Sequence, residues 1–149
     1  MAVAVASLLL AACDPAFDEE YSIDNQSSHD VEFVWSGSWR YHPSENGENF
    51  DGSCVVPAGE KVTLLIDGGI GSTGRERILL SARGHLMGDS VSFIVGSDTV
   101  TFHAADTAGA DSPYNFSSPR YTYDELPNRM GGIGWASLTF RVDDAMPGK

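Results

Sequence analysis

Few residues of this chain are of types and spacings that do chemistry, and each group points to a different reaction. Gly69-Ile70-Gly71-Ser72-Thr73-Gly74 fits the GxGxxG pattern and follows a run, 61–67, that alternates like a strand. In a dinucleotide-binding fold such glycines bring backbone N–H groups at a helix start against a pyrophosphate. That chemistry also needs a following helix and a second strand–helix–strand unit, and the sequence gives no clear sign of either. The alternative is a plain strand-to-strand loop. A phosphate-binding P-loop is excluded, because Arg75-Glu76 stand where Lys and Ser or Thr are required. His29, His42, His85 and His103 show neither HxxxH nor HExxH spacing, so no helix face carries two metal ligands. The segment 46–51 is rich in oxygen ligands but lacks EF-hand spacing, which leaves a loop calcium site open. No GxSxG presents a strained serine. No catalytic residue, metal or cofactor is therefore expected.

Two further groups remain. Trp39 and Tyr41 stand two apart and would share one face of a strand. Aromatic faces there could stack on sugar rings, which makes these two the candidate ligand-binding residues. The plainer alternative places Trp35 in the core and Trp39 and Tyr41 at the sandwich edge, since aromatics bury much area. The cysteines are Cys13 and Cys54, with no CxxC pair and no set of four for a metal. Cys54 sits in Gly52-Ser53-Cys54-Val55-Val56-Pro57 and reads as a small buried hydrophobe rather than a nucleophile.

The elements that must position these residues are mostly strands. Tyr21 and Ile23 alternate with Ser22 and Asp24, a polar stretch follows, and Val31, Phe33 and Trp35 alternate in turn. This predicts a hairpin of strands 21–25 and 31–35. Val62, Leu64 and Ile66 share a face of strand 61–67. The segment 75–86 fits either a strand or a short helix, and Gly84 tips the expectation to a strand. The segment 90–103 predicts a hairpin around the loop Gly96-Ser97-Asp98. A short strand at 121–123 and a final strand carrying Ala136, Leu138, Phe140 and Val142 complete the set. One-sided alternation of this kind marks antiparallel sheets with one packed face. The fold class is all-β, an antiparallel two-sheet sandwich, immunoglobulin-like or related, of seven to nine strands.

The chain has 149 residues, enough for one domain with a substantial core. Its net charge of −12 repels phosphate backbones, and its nine Lys and Arg are scattered, so no nucleic-acid partner is expected. No stretch after the N-terminal region is apolar for long enough to span a bilayer as a helix.

The N-terminal region carries the most specific signal. Residues 2–12 contain no charge, Leu8-Leu9-Leu10 form an apolar run, and Ala11-Ala12-Cys13 follows at once. The run is too short for a permanent membrane helix and suits a signal peptide with a small-residue cleavage site. Met1-Ala2-Val3 lacks the Lys or Arg that usually opens such a segment. The alternative is a buried N-terminal strand or helix with Cys13 in the core. Leu10-Ala11-Ala12-Cys13 resembles the lipobox of bacterial lipoproteins. The resemblance implies cleavage before Cys13 and attachment of lipid to its thiol. Several acyl chains would make that anchor stable.

The chain further resembles a group of small Bacteroidetes-type lipoproteins. The residues that carry this are Tyr21-Ser22-Ile23-Asp24-Asn25, Asp89-Ser90-Val91-Ser92-Phe93, Ser112-Pro113-Tyr114 and the last strand running into Asp143-Asp144. In such proteins an acidic cluster after the lipidated Cys signals export to the cell surface, and Asp18, Glu19 and Glu20 are its counterparts. The resemblance implies a fold and an address and carries no catalytic residues. The expected organisation is a signal peptide over 1–12, lipidated Cys and acidic linker over 13–20, and a β-sandwich domain over 21–149. The expected location is the outer membrane, at the cell surface, with a periplasm-facing position as the alternative. The expected role is a non-catalytic binding or accessory module for a glycan or protein. A structural or assembly lipoprotein contacting envelope proteins is the second reading, and a secreted enzyme the third.

Overall fold

A computed structural model describes residues 16–36, 52–70, 74–126 and 133–146. Among these residues eight strands form two four-stranded sheets that pack face to face. They are β1 (Ala16–Asn25), β2 (Val31–Ser36), β3 (Gly52–Val56), β4 (Lys61–Ile70), β5 (Ser90–Val95), β6 (Asp98–His103), β7 (Tyr121–Leu126) and β8 (Ile133–Val142). One sheet has the order β4-β1-β8-β7 and the other β3-β2-β5-β6. The two-sheet sandwich is as the alternation predicts. Its pairs are antiparallel except for β1 and β8, which run parallel. First and last strand thus lie side by side at the centre of one sheet.

The core follows from the period-two pattern. Tyr21, Ile23, Leu138, Phe140 and Val142 face inward from one sheet, and Val31, Phe33, Val91 and Phe93 from the other, all nearly inaccessible to water. An aromatic column joins the sheets. Phe33 and Phe93 rings lie 5.1 Å apart, Phe93 stacks on Phe140 at 5.6 Å, and Phe140 meets Tyr121 edge-on at 4.9 Å. Ring contacts of this kind add to the area they bury. On the outer face of the first sheet the register aligns Thr63, Ser22, Thr139 and Thr122 in one row across four strands. The Ser22 and Thr63 hydroxyls are hydrogen-bonded at 3.0 Å.

Four sequence expectations change. First, β1 and β2 do not form a hairpin, because they belong to different sheets. The buried Asn25 explains the arch between them. Its Nδ2 donates to the carbonyls of His29 and Val56, both at 2.9 Å, and its Oδ1 accepts from the Ser27 N–H and hydroxyl. These bonds close the turn across the gap between sheets, so Ile23 and Val31 reach one core from opposite sides. Second, β1 starts at Ala16, so the expected linker over 13–20 is largely strand. Third, the β5–β6 loop has two residues, Gly96-Ser97, since Asp98 already pairs with Val95. Gly96 takes φ +62°, the left-handed geometry that tight hairpin turns require.

Fourth, 75–86 is helical. Helix α1 (Arg75–Ala82) continues into a π-helical turn, Arg83–Met87. Ile78, Leu79, Ala82, Leu86 and Met87 are all buried, a spacing that fits a helix face. The packing of that face outweighs the cost of Gly84, which is itself buried. Strand length gives the reason for the helix. The first sheet has three strands of ten residues, whereas those of the second have five or six. The unmatched part of the longer sheet, toward Ala16, is covered by α1. Arg77 pairs there with Glu19, and the Ser81 hydroxyl donates to Asp67 at 2.7 Å.

Candidate functional site

The two ends of the sandwich differ. At one end lie Asn25, the arch, the turn between β3 and β4 and the β5–β6 turn. At the other, β1 begins, β4 ends and β8 begins, since Ala16 pairs with both Ile70 and Ile133. Strand β2 runs back from the arch, so Ser36 and Gly52 also point to this Ala16 end. Ser36 there bridges to Gly88, just past the π-helical turn. The Ala16 end is therefore where α1 sits.

A surface groove of about 700 Å³ opens beside the start of α1, lined by Gly74, Arg75, Glu76, Arg77, Leu80, Phe116 and Ser117. Its cationic side chains are held in place by the fold. The Arg75 Nη2 donates to the Ser118 carbonyl at 2.7 Å, and its guanidinium lies 5.5 Å from the Tyr121 ring centre. The Arg75 Nε is buried with no hydrogen-bond partner among the described residues. Arg77 reaches the Glu19 carboxylate at 3.1 Å. Arg83 lies over the rings of Tyr114 and Phe116 at 5.5 and 5.8 Å and donates to the Ala104 carbonyl. Leu80, by contrast, is 57% exposed on the outer face of the helix.

Beneath the helix lies a cluster of three buried tyrosines. The hydroxyls of Tyr21 and Tyr121 are 3.2 Å apart, Tyr121 donates to the Pro113 carbonyl at 2.5 Å, and Tyr114 donates to the Met87 carbonyl at 3.1 Å. Burial pushes all three hydroxyls above the usual tyrosine range, and for Tyr121 the neighbouring Tyr21 adds to it. The Tyr121 and Tyr114 hydroxyls, bonded to the Pro113 and Met87 carbonyls, act as staples that tie the long segment between β6 and β7 to the core. Arg120 pairs with Asp111 of the same segment at 2.7 Å and with Asp143, just past β8, at 3.2 Å, and its Nη1 donates to the Arg141 carbonyl of β8.

Searches of protein-family models, of curated proteins and of solved structures give no match to this chain. The site therefore rests on its own geometry.

The residues singled out by sequence fall in different places. Cys13, Trp39 and Tyr41 lie outside the described residues, as does 46–51. Of the acidic trio, Asp18 is exposed, Glu20 is half-buried, and Glu19 is only 2% exposed and ion-paired. A partner reading the folded domain can reach Asp18 and Glu20 but not Glu19. Cys54 is a half-buried free thiol on β3. Among the described residues no group of three or more His, Cys, Asp or Glu is placed to hold a metal. A helix does follow the glycine-rich stretch, but it leads from β4 in one sheet to β5 in the other. That path makes no parallel strand–helix–strand unit, so the dinucleotide reading lacks its scaffold. Sequence reasoning did not single out Arg75, Arg77, Leu80 or Phe116. Their signal was the pair of arginines flanking Glu76 ahead of an apolar helical face, hidden once the segment was read as a strand.

Proposed function

We propose that this chain is a lipid-anchored envelope protein of a Gram-negative bacterium, at the outer membrane, whose sandwich is a non-catalytic binding or accessory module. The observation that carries the reading is Leu10-Ala11-Ala12-Cys13, a lipobox placed three residues before the first strand. A glycan is the first ligand class to test, with Trp39 and Tyr41 as its platform. The experiment is digestion of intact cells with a non-penetrating protease, beside a Cys13→Ala strain. Loss of the wild-type protein fits a surface position, and protection in the membrane fraction fits a periplasm-facing one. Membrane fractionation of Cys13→Ala protein would overturn the anchor.

One observation favours the assembly reading. Strand β4 is ten residues long and, among the described residues, pairs on one side only, with β1. Ile66 on it is 68% exposed. Long open edges of this kind take up strands from partner chains. A photo-crosslinker at Ile66 that captures one envelope protein would favour assembly over glycan binding.

A further inference from the structure

We infer that the outer face of the first sheet, toward Ala16, binds a linear polyamine, an alkyl chain carrying two or more ammonium groups. Neither the lipid anchor nor the glycan platform enters this site. One row across the sheet places Ile66, Glu20, Ser137 and Asp124 side by side. The next row places Gly68, Asp18, Trp135 and Leu126. Ala136 and Leu138 of β8 are in the core, so Trp135 and Ser137 face outward. The two rows hold three carboxylates and no Lys or Arg. Asp18 and Asp124 are exposed and Glu20 is half-buried. None of these three carboxylates has an ion pair among the described residues.

The centre of the patch has a bond left to make. Ser137 is 1% exposed, and its Oγ has no hydrogen-bond partner among the described residues. A buried hydroxyl in that condition costs stability until a partner arrives. It stands between Glu20 and Asp124 in its row, with the half-buried Trp135 two positions away on the same face of β8. An ammonium group entering there donates to Oγ and to a flanking carboxylate. The indole of Trp135 attracts the same charge and packs against the methylenes that follow it. Glu20 and Asp124 are two strand spacings apart, about 10 Å. Among the described residues no three acids or other ligands converge on a metal ion. The fit is therefore to an elongated cation that meets the carboxylates one at a time. A net charge of −12 draws such cations to the chain and repels anionic ligands.

The test is titration calorimetry of the full chain with spermidine at low salt. Spermidine should bind about tenfold more tightly than butylamine, because a single exposed ion pair is weak. Trp135→Ala and Ser137→Ala should each weaken spermidine about fivefold, through the lost cation–π contact and the lost acceptor. Ser137→Ala should melt no lower than the wild type without spermidine, since the hydroxyl it removes has no partner in the fold. Asp124→Asn should weaken binding about threefold, while Asp98→Asn, exposed at the opposite end, removes the same charge and should leave it unchanged. Equal losses in Asp98→Asn and Asp124→Asn would assign the binding to net charge and overturn the site. Unchanged affinity in both Trp135→Ala and Ser137→Ala, or no binding of millimolar spermidine, would overturn it as well. Trilysine binding more tightly than spermidine, with the same loss in Asp124→Asn, would give the face to a basic protein segment instead. Failure on any of these counts leaves the anchor reading standing, because that rests on Cys13.

Discussion

Asn25 is a buried polar side chain that holds the arch between the two sheets. Its amide makes four hydrogen bonds in the arch between the sheets, two as donor and two as acceptor. Asn25→Ala leaves the Val56 carbonyl and the Ser27 N–H without those partners in a buried site. The expected cost is about 3 kcal/mol, from bonds worth about 1 kcal/mol each and from the desolvation of groups left behind. Urea midpoints checked against the wild type measure it. Asn25→Asp should cost as much, since a carboxylate has no hydrogen to offer the two carbonyls that Nδ2 serves. A loss below about 1 kcal/mol in both variants would show that the arch is held by its backbone alone.

At the scale of elements, α1 is what lets sheets of unequal length share one core. Leu79 is fully buried on its inner face and Leu80 is exposed on its outer face, although they are neighbours in sequence. Leu79→Ala should therefore cost about 3 kcal/mol through lost burial and a residual cavity. Leu80→Ala should stay within about 0.5 kcal/mol. Thermal melts of the two variants make the comparison. Equal destabilisation would contradict the helical placement. The π-helical turn is part of the same design, because the Met87 carbonyl at its end accepts from Tyr114 and so anchors the segment between β6 and β7.

For the whole molecule, the buried tyrosines link stability to alkaline pH. Their hydroxyls are held protonated in the fold, above the usual value of 10, whereas the unfolded chain releases those protons near 10. A raised folded pKa leaves stability intact below pH 10 and removes it as pH rises further. The loss is about 1.4 kcal/mol per pH unit for each such tyrosine. Tyr21 and Tyr121 share a hydrogen bond and should titrate as a pair. Urea unfolding from pH 8 to 11 should show a flat region, then a decline above 10 that is shallower in Tyr21→Phe. An unchanged slope in that variant would remove Tyr21 from the account.

Much was legible in the sequence because the signals were local. Alternation of side chains along 90–95, 98–103 and 136–142 fixes which residues face inward, since successive side chains on a strand point to opposite faces. The two-sheet class followed from that pattern. What depended on distant partners was not legible. Whether β1 and β2 pair or part is decided by the reach of Asn25 to Val56, across 31 positions. The choice between strand and helix for 75–86 turned on an uncovered stretch of sheet that exists only once β1, β4 and β8 assemble. Glu19 looked like a linker acid because nothing near it in sequence announces Arg77, 58 residues on. Local periodicity sets the elements of this protein, while only tertiary packing decides which sheet each strand joins, where the helix must lie and which charges leave water.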